Sequence, residues 1–522
     1  MIGNAVAASA TTTHNELVLA ALRRWPDRSA FVYGEVTYTY AESADLIARM
    51  MAVLAARGIG PGTALGVLAP NRPEAWLVSV AAQLLGGHSV GMHARASFDD
   101  HLFECVDADV RVLVVDPTFA DDAGRLAAAG VSTLLSIGPG EFAPDILALA
   151  AAESPRPLDA SDVDGEHWAE ILYTGGTTGR SKGVIQSQRA RAAITLAAPL
   201  AYELPLAPVY LAAAPITHAA AHFLVPTLLR GGTVVLLDGF RPEEFVETVR
   251  RTRANFSFLV PTMIYKLLDH GQAASIEMPT LERIIYGASP MSPSRLIEGH
   301  DRLGPVFTQI YGQTETLALG TALLSAEHDL SDQTRLMSCG RAVPGTRIAL
   351  LGEDNRPVAR GEVGEIAIRS PGVMLGYHHQ PELTAETLAD GWLHTGDMGR
   401  EDDAGFYTIV DRKKDFIISG GFNVYTREIE DVLCADPAVA AAAVIGIPDP
   451  VWGEAVKAVV VPVPGATVDI ANLVKLVRDA KGGVHTPKSV DVVAELPLTP
   501  VGKPDKKALR AAYWADQQRA VS

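Results

Sequence analysis

Between Tyr173 and Gly183 the chain reads Tyr-Thr-Gly-Gly-Thr-Thr-Gly-Arg-Ser-Lys-Gly, directly after Glu170-Ile171-Leu172. Glycine frees the backbone, threonine supplies hydroxyls and Lys182 adds a positive charge, so the stretch offers many donors to a chain of phosphate oxygens. A strand feeding a glycine-rich loop is the context expected of a phosphate site. The loop lacks the Gly-Lys-Ser/Thr of a P-loop, because Ser181 precedes Lys182. Taken alone, the stretch reads equally well as an ordinary surface loop.

Extended and helical patterns alternate around it. Val36 to Tyr40 is extended, and Leu46, Ile47, Met50, Met51 and Leu54 then recur at helical spacing until Gly58 and Gly60. Residues 64–69, 112–115 and 133–137 predict strands, and 74–85 predicts a helix stopped by Gly86-Gly87. A strand at 233–237, a helix at 241–251 and a strand at 256–260 repeat the unit. This alternation predicts an α/β fold with largely parallel sheets. The apolar region 192–229 is broken by Pro199, Glu203, Pro205, Pro208, Pro215 and His218, which predicts buried core with turns and excludes one membrane span.

From about Gly340, closely spaced glycines and the alternating Glu365-Ile366-Ala367-Ile368-Arg369 predict a small antiparallel barrel or sheet. After Asp411-Arg412-Lys413-Lys414-Asp415, helices near 426–434 and 468–480 and strands near 440–446, 455–462 and 489–495 predict a small α+β domain. The expected organisation is an N-terminal domain at 1–410, made of two βα-layered subdomains plus a small β-barrel, then a hinge at 411–415 and a mobile α+β C-terminal domain at 416–522. The Gly-x-Gly at Gly58-Ile59-Gly60 ends a helix instead of opening one, so it carries no dinucleotide signal.

A formal charge of −17 argues against a nucleic-acid or anionic-membrane surface. Cys105, Cys339 and Cys434 are too few and too scattered for a disulfide framework or a zinc site. With no secretory pattern in 1–13, a cytoplasmic location is expected.

Four further stretches accompany the glycine-rich loop: Tyr311-Gly312-Gln313-Thr314-Glu315-Thr316, Trp392-Leu393-His394-Thr395-Gly396-Asp397, Asp411 to Glu430, and Leu496 to Arg510. In order and spacing the chain resembles the adenylate-forming superfamily of acyl-CoA synthetases, peptide-synthetase adenylation domains and luciferases, from about Val36 to Arg510. The resemblance implies a two-step ligase. ATP converts a carboxylic acid to an acyl-adenylate with release of pyrophosphate, and the thiol of coenzyme A then displaces AMP.

The resemblance also implies residue roles. Thr174, Gly175, Gly176, Thr177, Thr178, Gly179 and Lys182 cradle the β- and γ-phosphates, with Gly176 and Ser181 departing from the family's usual serine and proline. Tyr311 stacks on adenine over Gly287-Ala288-Ser289, and Gly312 and Gln313 continue that wall. Thr314 reaches the α-phosphate, and Glu315 holds Mg2+, a hard cation suited to carboxylate and phosphate oxygens. Asp397 takes the ribose hydroxyls with Arg412 assisting, Lys414 is the hinge, and Gly420 and Gly421 admit the pantetheine arm. Lys503 is the catalytic lysine: an ammonium brought to the α-phosphorus in a water-poor site stabilises the transition state more than the ground state.

His218 is placed beside the substrate carboxylate. Ala219 stands where amino-acid adenylating domains carry an acidic residue, so the acid is expected to be uncharged apart from its carboxylate. Small residues at 219–221, Gly287 and Gly312 suggest room for a bulky acyl group. Two other readings are an adenylating ligase that loads a carrier-protein thiol and a degenerate nucleotide-binding protein. A homodimer is left open.

Overall fold

The computed structural model describes residues 12–131, 133–160, 162–174, 181–270, 276–413, 415–419, 422–450, 452–463, 465–498, 504–511 and 513–514. Its strands fall into four sheets. A nine-stranded sheet has a parallel centre, ordered Phe307–Tyr311, Arg283–Tyr286, Phe256–Leu259, Val209–Ala212, Thr233–Leu236 and Ser29–Tyr33. Antiparallel strands close both of its ends.

A seven-stranded sheet runs Gly376–Tyr377, Lys182–Ser187, Trp168–Thr174, His88–Met92, Ala64–Leu68, Val110–Val115 and Leu134–Ser136. Its interior strand Ala64–Leu68 is buried at every position, as a parallel strand covered on both faces must be. The helices His14–Arg24, Tyr40–Ala55, Pro73–Leu84 and Gln188–Ala201 contribute to one core shared with both sheets. Thr13 with Glu16 and Thr39 with Glu42 close capping boxes at the first two of these helices, satisfying donors that a helix start leaves free.

The alternation read from the sequence therefore corresponds to two βα layers. In the broken apolar region the helix Gln188–Ala201 runs through Pro199, where a turn was expected. Pro199 lies in the last turn, so it removes only a terminal hydrogen bond. The buried face of Ala190, Ile194, Ala198 and Ala201 holds the helix in place.

The antiparallel module is a four-stranded sheet, Arg347–Leu351, Gly364–Arg369, Leu393–Glu401 and Tyr407–Arg412. Beyond it, Ile417–Ser419, Phe422–Val424, Val439–Asp449, Gly453–Pro462 and Ser489–Val492 form the fourth sheet. Helices Thr426–Cys434 and Ile470–Lys481 pack on it around Ile429, Leu433, Leu473 and Val477. All three cysteines are free. Among the described residues no helix is long and apolar enough to cross a membrane.

Candidate active site

Asp397 lies at the junction of the nine-stranded and four-stranded sheets. Pairing with Arg412 across the antiparallel ladder fixes its place, and Asp397 Oδ1 lies 3.2 Å from Arg412 Nε. Tyr311, the last residue of its parallel strand, donates its phenol to Asp397 Oδ2 at 2.9 Å. Gln313 Nε2 donates to the same oxygen at 2.9 Å and to the Thr395 carbonyl at 2.8 Å. The buried carboxylate is thereby held in one orientation by one charged and two neutral donors. Burial, then the Asp397 charge, raises the Tyr311 pKa well above its ordinary value.

Glu365, also buried, supports this corner from behind. Its Oε1 accepts from the Gly396 amide at 3.0 Å, and its Oε2 accepts from Lys413 Nζ at 3.0 Å. Lys413 N–H also donates to the Gly396 carbonyl at 2.7 Å. The residue before Lys414 is therefore fastened to the four-stranded sheet. On the far side, Asp415 accepts from Arg510 Nη1 at 3.1 Å.

Glu315 sits in the short turn Thr314–Thr316 that follows Tyr311-Gly312-Gln313. Its Oε1 accepts from the Tyr377 phenol at 2.8 Å, and Lys182 Nζ lies 5.2 Å from the centroid of that ring. Gln186, on the strand returning from the glycine-rich loop, donates to the Thr314 carbonyl at 2.5 Å. Thr174 and Lys182 are register partners at the mouth of the loop. The turn Thr314–Thr316 is thus joined to the strand that follows the glycine-rich loop through Tyr377 and Gln186. Tyr173 turns away and donates to Asp107 at 2.6 Å.

Glu315 accepts a hydrogen bond at one oxygen, and no group of three His, Cys, Asp or Glu able to hold a metal exists among the described residues. A single protein carboxylate fits Mg2+, which keeps several waters and takes its other ligands from substrate phosphates.

Thr217 Oγ1 lies 3.0 Å from His218 Nδ1, and the ring of His93 meets that of His218 edge-on at 5.0 Å. Burial, then His93, pushes the His218 pKa down to about 4, so the imidazole is neutral near pH 7. His218 and Ala221 line a cavity of about 60 Å³, together with Val67, Gly91 and Leu172 of the seven-stranded sheet.

Gly175, Gly176, Thr177, Thr178, Gly179, Lys414, Gly420, Gly421 and Lys503 lie outside the described residues. Ala288 has φ +67°, the left-handed region that a side chain rarely adopts. The room expected at Gly287 and Gly312 is taken by the chain itself. A Cβ on Gly287 would stand 2.6 Å from the Ile310 carbonyl oxygen, and one on Gly312 would stand 2.5 Å from Ala318 Cα. These two glycines serve backbone packing.

Sequence reasoning missed Tyr377, Gln186 and Glu365. The strict alternation at 365–369 was the available signal for Glu365, since it puts a carboxylate on an otherwise apolar sheet. Tyr377 carried no local signal, because its strand is two residues long and gains its place by pairing with Val184.

Comparison with known proteins fits this geometry. The model of the AMP-binding enzyme family matches residues 18–378, and that of the AMP-binding enzyme C-terminal domain matches residues 428–503. A medium/long-chain-fatty-acid–CoA ligase of Mycobacterium tuberculosis is 41% identical over 98% of this chain and 92% of its own length. A feruloyl-CoA synthase of Amycolatopsis sp is 36% identical over 94% of this chain and 97% of its own. The structure of the amide bond synthetase McbA from Marinactinospora thermotolerans superposes with a TM-score of 0.88 at 34% identity, covering 96% of this chain and 100% of that one. With both family models in chain order and relatives matched along nearly its whole length, the chain belongs to the AMP-binding, adenylate-forming enzyme family.

Proposed function

We propose that this AMP-forming acid–thiol ligase acts on a bulky carboxylic acid, uncharged apart from the carboxylate being activated, and divides its chemistry among the residues assembled above. The enzyme activates the acid with ATP and passes the acyl group to coenzyme A. The observation that carries the reading is the convergence of Tyr311, Gln313 and Arg412 on Asp397. A buried carboxylate with its orientation already fixed is suited to accept from the two hydroxyls of a ribose.

In that frame Tyr311 offers its ring face to adenine beside Gly287, Ala288, Ser289 and Gly312. Thr314 faces the α-phosphate, while Thr174, Lys182 and the loop 175–179 take the outer phosphates. Glu315 holds Mg2+, which supplies charge neutralisation to the phosphates when bound. Neutral His218 orients the acid without competing for it as a cation. Lys503 stabilises the charge that builds as the carboxylate oxygen attacks phosphorus and pyrophosphate departs.

Fastened residues on either side of Lys414 support a rotation of the C-terminal domain (416–522) about that point, relative to residues 1–410. Such a rotation withdraws Lys503 and brings Gly420 and Gly421 to the pantetheine arm. The fatty-acid and feruloyl relatives support a bulky acid and a coenzyme A acceptor. Three free thiols suit a reducing cytoplasm.

The test is pyrophosphate release across a panel of carboxylic acids with ATP and Mg2+, followed by acceptor trials with coenzyme A, a carrier protein and simple amines. Preference for acetate or propionate removes the bulky-acid reading. Product formation with carrier protein alone moves the acceptor assignment.

A further inference from the structure

The cavity that begins at His218 ends in a set of polar groups that the chemistry described so far does not use. Arg191 is 4% exposed, His222 7% and His14 2%, yet all three line this cavity, together with Glu170, Gln83 and Ser89. Arg191 Nη1 lies 3.1 Å from His222 Nδ1 and 3.2 Å from Glu170 Oε1. Arg191 Nε and Gln83 Oε1 make no hydrogen bond among the described residues, and Glu170 Oε1 has the Arg191 ion pair but no hydrogen bond. Gln83 spends one donor on Ser89 Oγ at 3.2 Å.

Buried polar groups left unsatisfied cost about 1–3 kcal/mol each, and native proteins carry few of them. Here one donor, Arg191 Nε, and one acceptor, Gln83 Oε1, stand unsatisfied on residues lining a single cavity. A cavity of about 60 Å³ has room for a few waters. A substrate oxygen can replace such waters and keep their hydrogen bonds, whereas a methyl or methylene group displaces them and leaves Arg191 Nε without a partner. That difference is the basis on which a site built around hydrogen bonds rejects an analogue lacking the oxygen.

Charge narrows the class further. Arg191 is already paired with Glu170 at 3.2 Å, and burial keeps His14 and His222 neutral. A second carboxylate would enter beside Glu170 with no cation to spare for it.

We propose that the acyl pocket selects acids bearing an uncharged oxygen, a carbonyl or hydroxyl, at the end remote from the activated carboxylate, and that Arg191 is the specificity-determining residue that receives it. This rests on the reading that His218 marks the carboxylate end of the pocket.

The experiment compares kcat/KM for pyrophosphate release by the full-length enzyme within matched sets. These are straight-chain acids of six and eight carbons, their oxo counterparts, the dicarboxylates of equal length, and 3-phenylpropanoate against its 4-hydroxy form. The expected result is a preference of tenfold or more for the oxygen-bearing acid in at least one set, with the dicarboxylate poorest there. Arg191→Met brings the ratio in that set close to one through a rise in KM for the oxygen-bearing acid. Should Arg191→Met not fold, the wild-type ratios decide alone. Equal or better use of the plain acid in every set overturns the assignment, as does a dicarboxylate that is used best, or a ratio unchanged in folded Arg191→Met. Turnover of plain acids in those cases leaves the ligase reading intact. Silence with every acid overturns the ligase reading as well.

Discussion

The phenol of Tyr311 donates to Asp397 Oδ2 at 2.9 Å, across 86 residues of chain. One residue ends a parallel strand and the other lies in an antiparallel ladder. The contact therefore joins the nine-stranded sheet to the module that leads into the C-terminal domain. Hydrogen bonds to a charged group contribute about 1.5–3 kcal/mol. Asp397→Asn should raise the KM for ATP roughly tenfold to a hundredfold, the range those energies imply. Tyr311→Phe keeps the ring and should cost about tenfold or less on the same scale. Initial rates against ATP concentration at saturating acid check both, and equal losses in the two variants contradict the division of roles.

Tyr377 touches Glu315 but is not proposed to touch phosphate. Glu315→Gln should lower adenylate formation on the order of a hundredfold and raise the Mg2+ concentration needed for half-maximal rate. Tyr377→Phe removes one hydrogen bond to a carboxylate, about 1.5 kcal/mol at the low end of the range for a charged acceptor, and should cost about tenfold. Magnesium titration of pyrophosphate release separates them. A Tyr377→Phe enzyme as impaired as Glu315→Gln would show that the tyrosine does more than position the carboxylate.

Lys503 and Gly421 are assigned to different half-reactions. Lys503→Ala should abolish pyrophosphate exchange, with a loss of about a hundredfold or more, and largely retain thioester formation from supplied acyl-adenylate. Gly421→Leu should accumulate adenylate while failing to form thioester. Loss of both activities together in Lys503→Ala counts against domain alternation.

Acid stability has a defined sign. Burial first, and neighbouring histidines after it, pushes the pKa values of His88 and His218 down to about 4, and burial does the same for His328. In the unfolded chain histidine titrates near 6.5, so the unfolded state binds protons more readily below that pH. The stability these groups contribute is complete above about pH 6.5 and is lost as pH falls towards 4. Asp411, raised to about 6 chiefly by burial, works in the opposite direction as pH rises from its unfolded value. Glu104, raised to about 8 by burial, and Glu170 act in the same sense as Asp411. His14, His93, His222, His300 and His378 are lowered like the other three histidines. With eight histidines against three carboxylates among the described residues, the melting temperature should fall from pH 7 to pH 5. His218→Gln should flatten that slope, which thermal melts across the interval measure, and an unchanged slope refutes the contribution of His218.

Local chemistry in the sequence determined the element types, the glycine-rich loop between two strands, and the identity of Asp397, Arg412, Tyr311 and Glu315 as candidates. Periodicity, caps and turn residues act over a few positions, and motif order is itself a sequence property. Only the tertiary structure decided that Tyr377 and Gln186 brace Glu315 and Thr314, that the space beside Gly287 and Gly312 is filled by Ile310 and Ala318, and that Arg191, Glu170, His14 and His222 share one cavity. The reason is physical. Apart from Gly312 with Ala318, these contacts join residues roughly twenty to two hundred positions apart, and their strength comes from burial and from partners that no local pattern encodes.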